Sequence, residues 1–140
     1  RSTLRVQYDG YIAAAAGRPP TYLLSPRVSE HLATALGLMP SLQLLNLQEA
    51  GLSPEGAAHL AKALTSGLAK LQQLWCGCNR DLGVGGFSHL AAALLAATHI
   101  TGLQSVTLSY GEFSGVSEVK ELLAAMQQAP HLRSANIRSH

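Results

Sequence analysis

Charge is scarce in this sequence. Asp, Glu, Lys and Arg make up only 13% of its 140 residues, about half of the roughly 25% usual in globular chains. A free-standing domain uses surface charge to stay soluble, so the shortage leads us to expect that part of the surface is covered. The cations are scattered and the net charge is only +2; Arg133 and Arg138 come nearest to a basic cluster. Nucleic-acid recognition leaves a stripe or patch of many cations, and that class of partner is not expected. Long apolar runs are missing too. No segment reaches the roughly 18 to 20 residues of a membrane helix, and the chain opens without a secretory signal pattern. We therefore expect no membrane span and an intracellular setting, cytoplasmic first, with an organellar one left open. The chain begins at Arg1 without Met, as a processed product, an excised domain or the ordered part of something longer would.

Cysteine is nearly absent, with Cys76 and Cys78 alone. Residues two apart cannot bridge without straining a strand. Zinc needs about four ligands, commonly from two paired sets, and there is no second pair. Cys76 stands where a core leucine is expected and reads as a small buried hydrophobe; Cys78 falls in the following turn. Other reactive constellations are also missing. Residues 83–86, GVGG, precede a helix but no Lys follows to make a phosphate loop, and no paired acids or nucleophile–base set has usable spacing. His31, His59 and His89 recur at equivalent helix positions, yet packed helices lie about 8 to 10 Å apart while His nitrogens approach a metal to about 2 Å. The repeat itself explains the recurrence. The expectations are no catalytic residue, no cofactor, no metal and no small-molecule substrate.

What is present is a repeat. Residues 24–36, LSPRVSEHLATAL, align with residues 52–64, LSPEGAAHLAKAL, at a period of about 28. Ser25 and Ser53 are suited to cap helices, and Pro26 and Pro54 to open them. Ser114 takes the same place in the third full repeat, and Gly83 in the second. Strands are expected ahead of the helices, from the spacing L-x-x-L-x-L. It occurs at Leu42, Leu45, Leu47, at Leu71, Leu74, Cys76, at Leu103, Val106, Leu108, and at Leu132, Ala135, Ile137. A degenerate first copy is expected through Val6 and Tyr8. Alternate strand residues point one way, so the last two apolar positions of each set face a core. Apolar residues three to four apart then mark helices, with Phe87, Leu90 and Leu94 in one and Val119, Leu122, Leu123 and Met126 in another. One strand–helix unit cannot bury its apolar faces alone, whereas stacked neighbours can.

The stretch LQLLNLQEAGLSPEGAAHLAKAL resembles one repeat of the ribonuclease-inhibitor-like leucine-rich repeats. LQQLWCGCNRDLGVGGFSHLAAAL resembles the next, with Asn79 where that family has Asn or Cys. Similar repeats occur in NOD-like receptors and Ran GTPase-activating proteins. The resemblance covers most of residues 24–140. It implies an α/β fold, a curved right-handed β-α solenoid of about four to five repeats, with parallel strands on the concave face and helices on the convex face. The whole of 1–140 would be a single domain, with 1–23 an irregular N-terminal repeat or cap and 24–140 the regular repeats. Two departures stand out: the spacing widens to about 32 residues between the second and third strands, where ATHITG is inserted, and Gly111 replaces the usual Asn or Cys in the third repeat.

In that geometry the concave face presents Asn46, Trp75, Thr107 and Asn136 at its central position. Leu44, Gln73, Ser105 and Ser134 stand two residues earlier, and Gln48, Gly77, Ser109 and Arg138 two later. Trp75 is the preferred anchor, because Trp is enriched among interface residues whose truncation costs about 2 kcal/mol or more; local packing is the plainer alternative. Tyr110 lies just past the next strand. Trp75, Tyr110, Gln73, Asn46, Thr107, Asn136 and Arg138 are thus the candidate partner-binding residues. Residues 82–111 contain no Asp, Glu, Lys or Arg. The helix expected over 86–98 is nearly all Ala, Leu and Gly, and such a helix is usually covered all round. The expected function is a protein–protein interaction module, a structural or adaptor subunit of a larger assembly. The alternative is a regulatory or sensor fragment of a larger protein, such as a NOD-like receptor or a GTPase activator. Only Arg138, Ser139 and His140 follow Ile137, so a partner or further chain is expected to cover that end.

Overall fold

A computed structural model describes residues 3–5, 26–77, 79, 82–108 and 116–139. Strands and helices alternate along the chain: β1 (Thr3–Arg5), α1 (Pro26–Leu36), β2 (Leu44–Asn46), α2 (Pro54–Ser66), β3 (Gln73–Cys76), α3 (Gly83–Ala96), β4 (Ser105–Leu108), α4 (Val116–Gln128) and β5 (Asn136–Ser139). A single 3-10 turn, Pro130–Leu132, precedes β5. The strands form one five-stranded sheet in chain order, parallel throughout. Parallel neighbours need a crossover rather than a hairpin, and the helices supply it.

The core consists of rows of like residues stacked from strand to strand. Leu4, Leu45, Leu74, Val106 and Ile137 are aligned across all five strands. Leu45, Leu74 and Val106 are fully buried, whereas Leu4 and Ile137, at the two sheet edges, are only partly so. Cys76 and Leu108 form the next row, with Leu47 buried beside them. Leu60 and Leu64 of α2, Leu90 and Leu94 of α3 and Met126 of α4 close over these rows. Each leucine withdrawn from water contributes about 1.5 to 3 kcal/mol. In β1 Leu4 stands in the core row, paired with Leu45; Val6 and Tyr8, where the degenerate first copy was expected, fall outside the described residues, as does nearly all of the expected N-terminal cap.

Local chemistry fixes the units to one another. The Ser53 hydroxyl accepts from the Gly56 amide at 3.0 Å, with Pro54 opening α2. Ser25 and Ser114 lie outside the described residues. Leu82, at the N-cap of α3, has no capping side chain, and Gly83 beside it takes φ +67°, a conformation that favours glycine. Asn79 is buried and tied on every side. Its Oδ1 accepts from the amides of Ala50 and Leu52 at 3.2 and 3.1 Å. Its Nδ2 donates to the carbonyls of Leu47 and Cys76 at 3.0 and 2.9 Å, with a longer contact to Gly77 at 3.4 Å. One side chain thus satisfies the turn after β2 and the turn after β3, groups whose burial without partners costs about 1 to 3 kcal/mol each. Gly111, the other position of interest in that column, is outside the described residues.

The wider spacing between the second and third full strands is absorbed in two places. α3 has 14 residues against 13 in α2, and the connection after it spans 97–104 rather than 67–72. Ala97 and Ile100 of that longer connection are buried. His99 uses it to reach back, and its Nε2 meets the Gly67 carbonyl at the end of α2 at 2.8 Å. His131 repeats the arrangement one unit later, its Nε2 lying 2.7 Å from the Leu94 carbonyl in the last turn of α3. With Nε2 protonated, each donates to a helix-end carbonyl that has no partner within its own helix.

Candidate functional site

Among the described residues, strand alternation leaves one face of the sheet without a helix. On β3 and β4 the buried residues alternate with half-buried ones, and the register of those half-buried positions defines two rows across the sheet. The central row runs Arg5, Asn46, Trp75, Thr107, Arg138, and the row before it Thr3, Leu44, Gln73, Ser105, Asn136. Neighbours within a row are about 4.8 Å apart. Trp75 therefore stands at the middle strand, half-buried, between Asn46 and Thr107. Asn46 is held in place by its own turn, its Oδ1 accepting from the Gln48 amide at 3.0 Å.

The last strand departs from the spacing pattern. Leu132 was expected to be followed by Ala135 and Ile137 in the second and third apolar rows, which would put Asn136 beside Thr107. Instead Ile137 pairs with Val106, Asn136 with Ser105 and Arg138 with Thr107. The cause is a longer approach to the strand. Leu132 closes the same tight turn as Leu42 and Leu71, its amide donating three residues back. The chain then turns again, with the Ala135 amide donating to the Leu132 carbonyl at 3.0 Å, and this second turn uses two residues before pairing begins. Ser134 sits in that turn rather than on the sheet face, and its hydroxyl donates to the Leu103 carbonyl at 2.8 Å. Arg138 thereby enters the row of Trp75, and Asn136 that of Gln73. Oriented to satisfy both groups, the Asn136 amide oxygen accepts from Arg138 Nε at 3.3 Å and Nη2 at 3.1 Å.

The other candidates separate cleanly. Gly77 is buried rather than presented. Tyr110, Ser109 and Cys78 lie outside the described residues. The Cys76 thiol is buried, and loss of solvent pushes its pKa up to about 12; it is a neutral packing group at ordinary pH. His31 and His89 are exposed on their helices and His59 is half-buried. Among the described residues no three metal-ligating side chains come together, and no helix is long and apolar enough to cross a membrane. An open groove between α1 and α2 is lined by Glu30, Thr34, His59, Lys62 and Ser66 among others, charges of both signs with no convergent set.

The uncharged helix α3 resolves into two faces. Phe87, Leu90, Ala91 and Leu94 are buried, while Gly85, His89, Ala92 and Ala96 are exposed. Its large apolar groups all turn inward or are partly covered, so what meets water is small. The large apolar residues that are exposed among those described are Val28 on α1 and Leu38 just after it, at 44% and 82%. The histidine–carbonyl contacts of His99 and His131 escaped the pattern of the sequence, which drew attention to the helix histidines. A signal was available: both stand three residues past the end of their helices. The chain matches no protein-family model.

Proposed function

We propose that the chain is a solenoid of ribonuclease-inhibitor-like leucine-rich repeats, and that it works as a non-catalytic protein-interaction module, a structural or adaptor subunit of a larger assembly. What supports the repeat reading is the in-register parallel sheet in chain order with a helix after each strand, together with Asn79 bridging two successive turns. The observation that carries the interaction reading is Trp75. A large aromatic is set, half-buried, at the centre of a sheet face that no described helix covers, among short side chains able to hydrogen-bond. This is the arrangement in which a few aromatic anchors dominate binding while their neighbours exclude water. The charge-free outward positions of α3 offer a second, weaker contact.

The test is quantitative co-purification from the native cell, comparing the wild-type chain with Trp75→Ala. Truncating an anchor costs about 2 kcal/mol or more, a loss of affinity of about thirty-fold. A stoichiometric partner retained by the wild type should therefore be depleted from Trp75→Ala, while far-UV circular dichroism stays unchanged. Equal recovery by both proteins sinks the sheet face as the contact surface.

A further inference from the structure

The last strand of the sheet is held by little packing of its own. Ile137, which β5 contributes to the aligned core row, is only partly buried, whereas Leu45, Leu74 and Val106 of that row are fully buried. Asn136 and Arg138 on either side of it are exposed. Among the described residues β5 ends the strand order and pairs with β4 alone. Strands that bury little apolar surface open at the low end of a fold's stability range. The connection into β5 supplies what the strand lacks. Residues 129–135 bury Ala129 and Leu132 and send two side chains back to the preceding unit. His131 Nε2 donates to the Leu94 carbonyl in the last turn of α3 at 2.7 Å, and the Ser134 hydroxyl donates to the Leu103 carbonyl ahead of β4 at 2.8 Å. Carbonyls only accept, so the imidazole carries its proton on Nε2. One fastening thus lies on the helix layer and the other at the sheet. Directly after them the Asn136 amide pairs with the Gln104 carbonyl at 3.1 Å. The connection into β4 makes a comparable contact through His99, but it leads to a strand whose Val106 and Leu108 are fully buried.

We infer that residues 129–135 are a two-point latch for the edge strand, with His131 and Ser134 as its fastenings. While both are closed, β5 is paired in the observed register and Arg138 stands in the row of Trp75. When they open, β5 leaves the sheet without the rest of the fold, and that row is shortened by one strand. The latch thereby governs how far the outward face extends. It is a property of the fold and stands whether or not that face is where a partner binds. Each fastening is a single hydrogen bond between neighbouring units, so removing one raises the open population of β5 about five-fold.

Native-state hydrogen exchange of the full chain, followed by NMR at increasing urea, tests this. The reporter is the Asn136 amide. The Leu47 and Gln73 amides, which donate to the Trp75 and Gln43 carbonyls, report the centre of the sheet. In the wild type Asn136 should be less protected than either, with a weaker urea dependence, as an opening that exposes little surface requires. His131→Ala and Ser134→Ala should each speed its exchange about five-fold. His131→Gln, whose side-chain amide still donates, should recover most of the lost protection. Asn136 exchanging with the protection and urea dependence of Leu47 and Gln73 overturns the latch, because β5 then opens only with the whole sheet. An Asn136 rate indifferent to both alanine substitutions overturns it as well. Equal rates in His131→Gln and His131→Ala assign the effect to packing of the ring and overturn the hydrogen bond as the fastening. Ser134→Ala carries the same comparison should His131→Ala not fold.

Discussion

The centre of the sheet and its C-terminal edge are built from the same kind of unit and behave differently. In β2, β3 and β4 each strand begins two residues after the first leucine of its apolar set, Leu42, Leu71 or Leu103, and all three strands fall into one register. Before β5 the interval is four residues, and the whole strand moves by two positions relative to that pattern. A shift of two preserves which face each residue is on, since side chains alternate with period two. It changes only who stands beside whom. Inward and outward are therefore protected by hydrophobic burial, whereas lateral neighbours are decided by the turn that leads into the strand. The first is strongly enforced, because a one-residue slip would turn the apolar set to water. The second costs little, and it determines which side chains stand together on the outward face.

The sharpest way to probe the contrast is to truncate the same core row at its centre and its edge. Leu74→Ala removes a fully buried side chain and should cost about 2 to 5 kcal/mol. Ile137→Ala, in the same row but only partly buried, should cost roughly half as much or less. Urea denaturation of both variants measures the difference, and equal losses would mean that the edge is as tightly packed as the centre. Asn79→Ala comes next. It strips partners from two amides and two carbonyls in buried turns and should cost about 2 to 4 kcal/mol; the smaller Ser134→Ala loss, about 1 kcal/mol, reports the corresponding tie at the edge. A loss at Asn79 no larger than at Ser134 would show that water replaces the buried amide.

Two adjacent glycines in α3 sharpen the same point on the helix layer. A methyl group on Gly86 would lie 2.4 Å from Leu82 Cδ1 and 3.4 Å from the Pro54 Cα, whereas one on Gly85 would meet nothing within 4 Å. Gly86→Ala should destabilise by about 1 to 3 kcal/mol through overpacking, and Gly85→Ala should stabilise by about 0.5 to 1 kcal/mol through helix propensity. Thermal unfolding reads both, and opposite signs are the decisive outcome. The smallest effect is titration of Cys76. Below about pH 9 the thiol is neutral in the folded and unfolded chain alike. Between its ordinary 9.0 and about 12 only the unfolded chain ionises it, so stability should fall as pH rises through that window. Urea midpoints at pH 8 and pH 10 should diverge more for the wild type than for Cys76→Ala, and parallel pH dependence would place the thiol in contact with solvent.

Much of the architecture was legible because it rests on short-range periodicity. The spacing of Leu42, Leu45 and Leu47, and of its later copies, marked β2, β3 and β4. The Ser53–Pro54 pair marked the start of α2. Cys76 was recognisable as a packing group because it stands where a leucine belongs. What was not legible involved groups far apart in sequence. The five contacts of the Asn79 amide reach back as far as Leu47, and the histidine contacts cross from one helix end to the loop of the next unit. The first has no local pattern, and the second has only the shared position of His99 and His131 three residues past their helices. Of the candidate face, Trp75, Thr107, Asn46 and Gln73 stand together as their spacing implied. Asn136 and Arg138 exchange rows because a turn of two further residues has no hydrophobic signature.

The sequence by itself determined the alternation of strand and helix and the sidedness of every strand it identified, because both follow from where apolar residues recur and the cost of wetting them is large. Only the tertiary structure decided the lateral order of the outward side chains. Register depends on how many residues each connection consumes before its strand begins to pair, and there the competing alternatives differ by a turn hydrogen bond or two. At the C-terminal edge that small difference places Arg138, rather than Asn136, in line with Trp75.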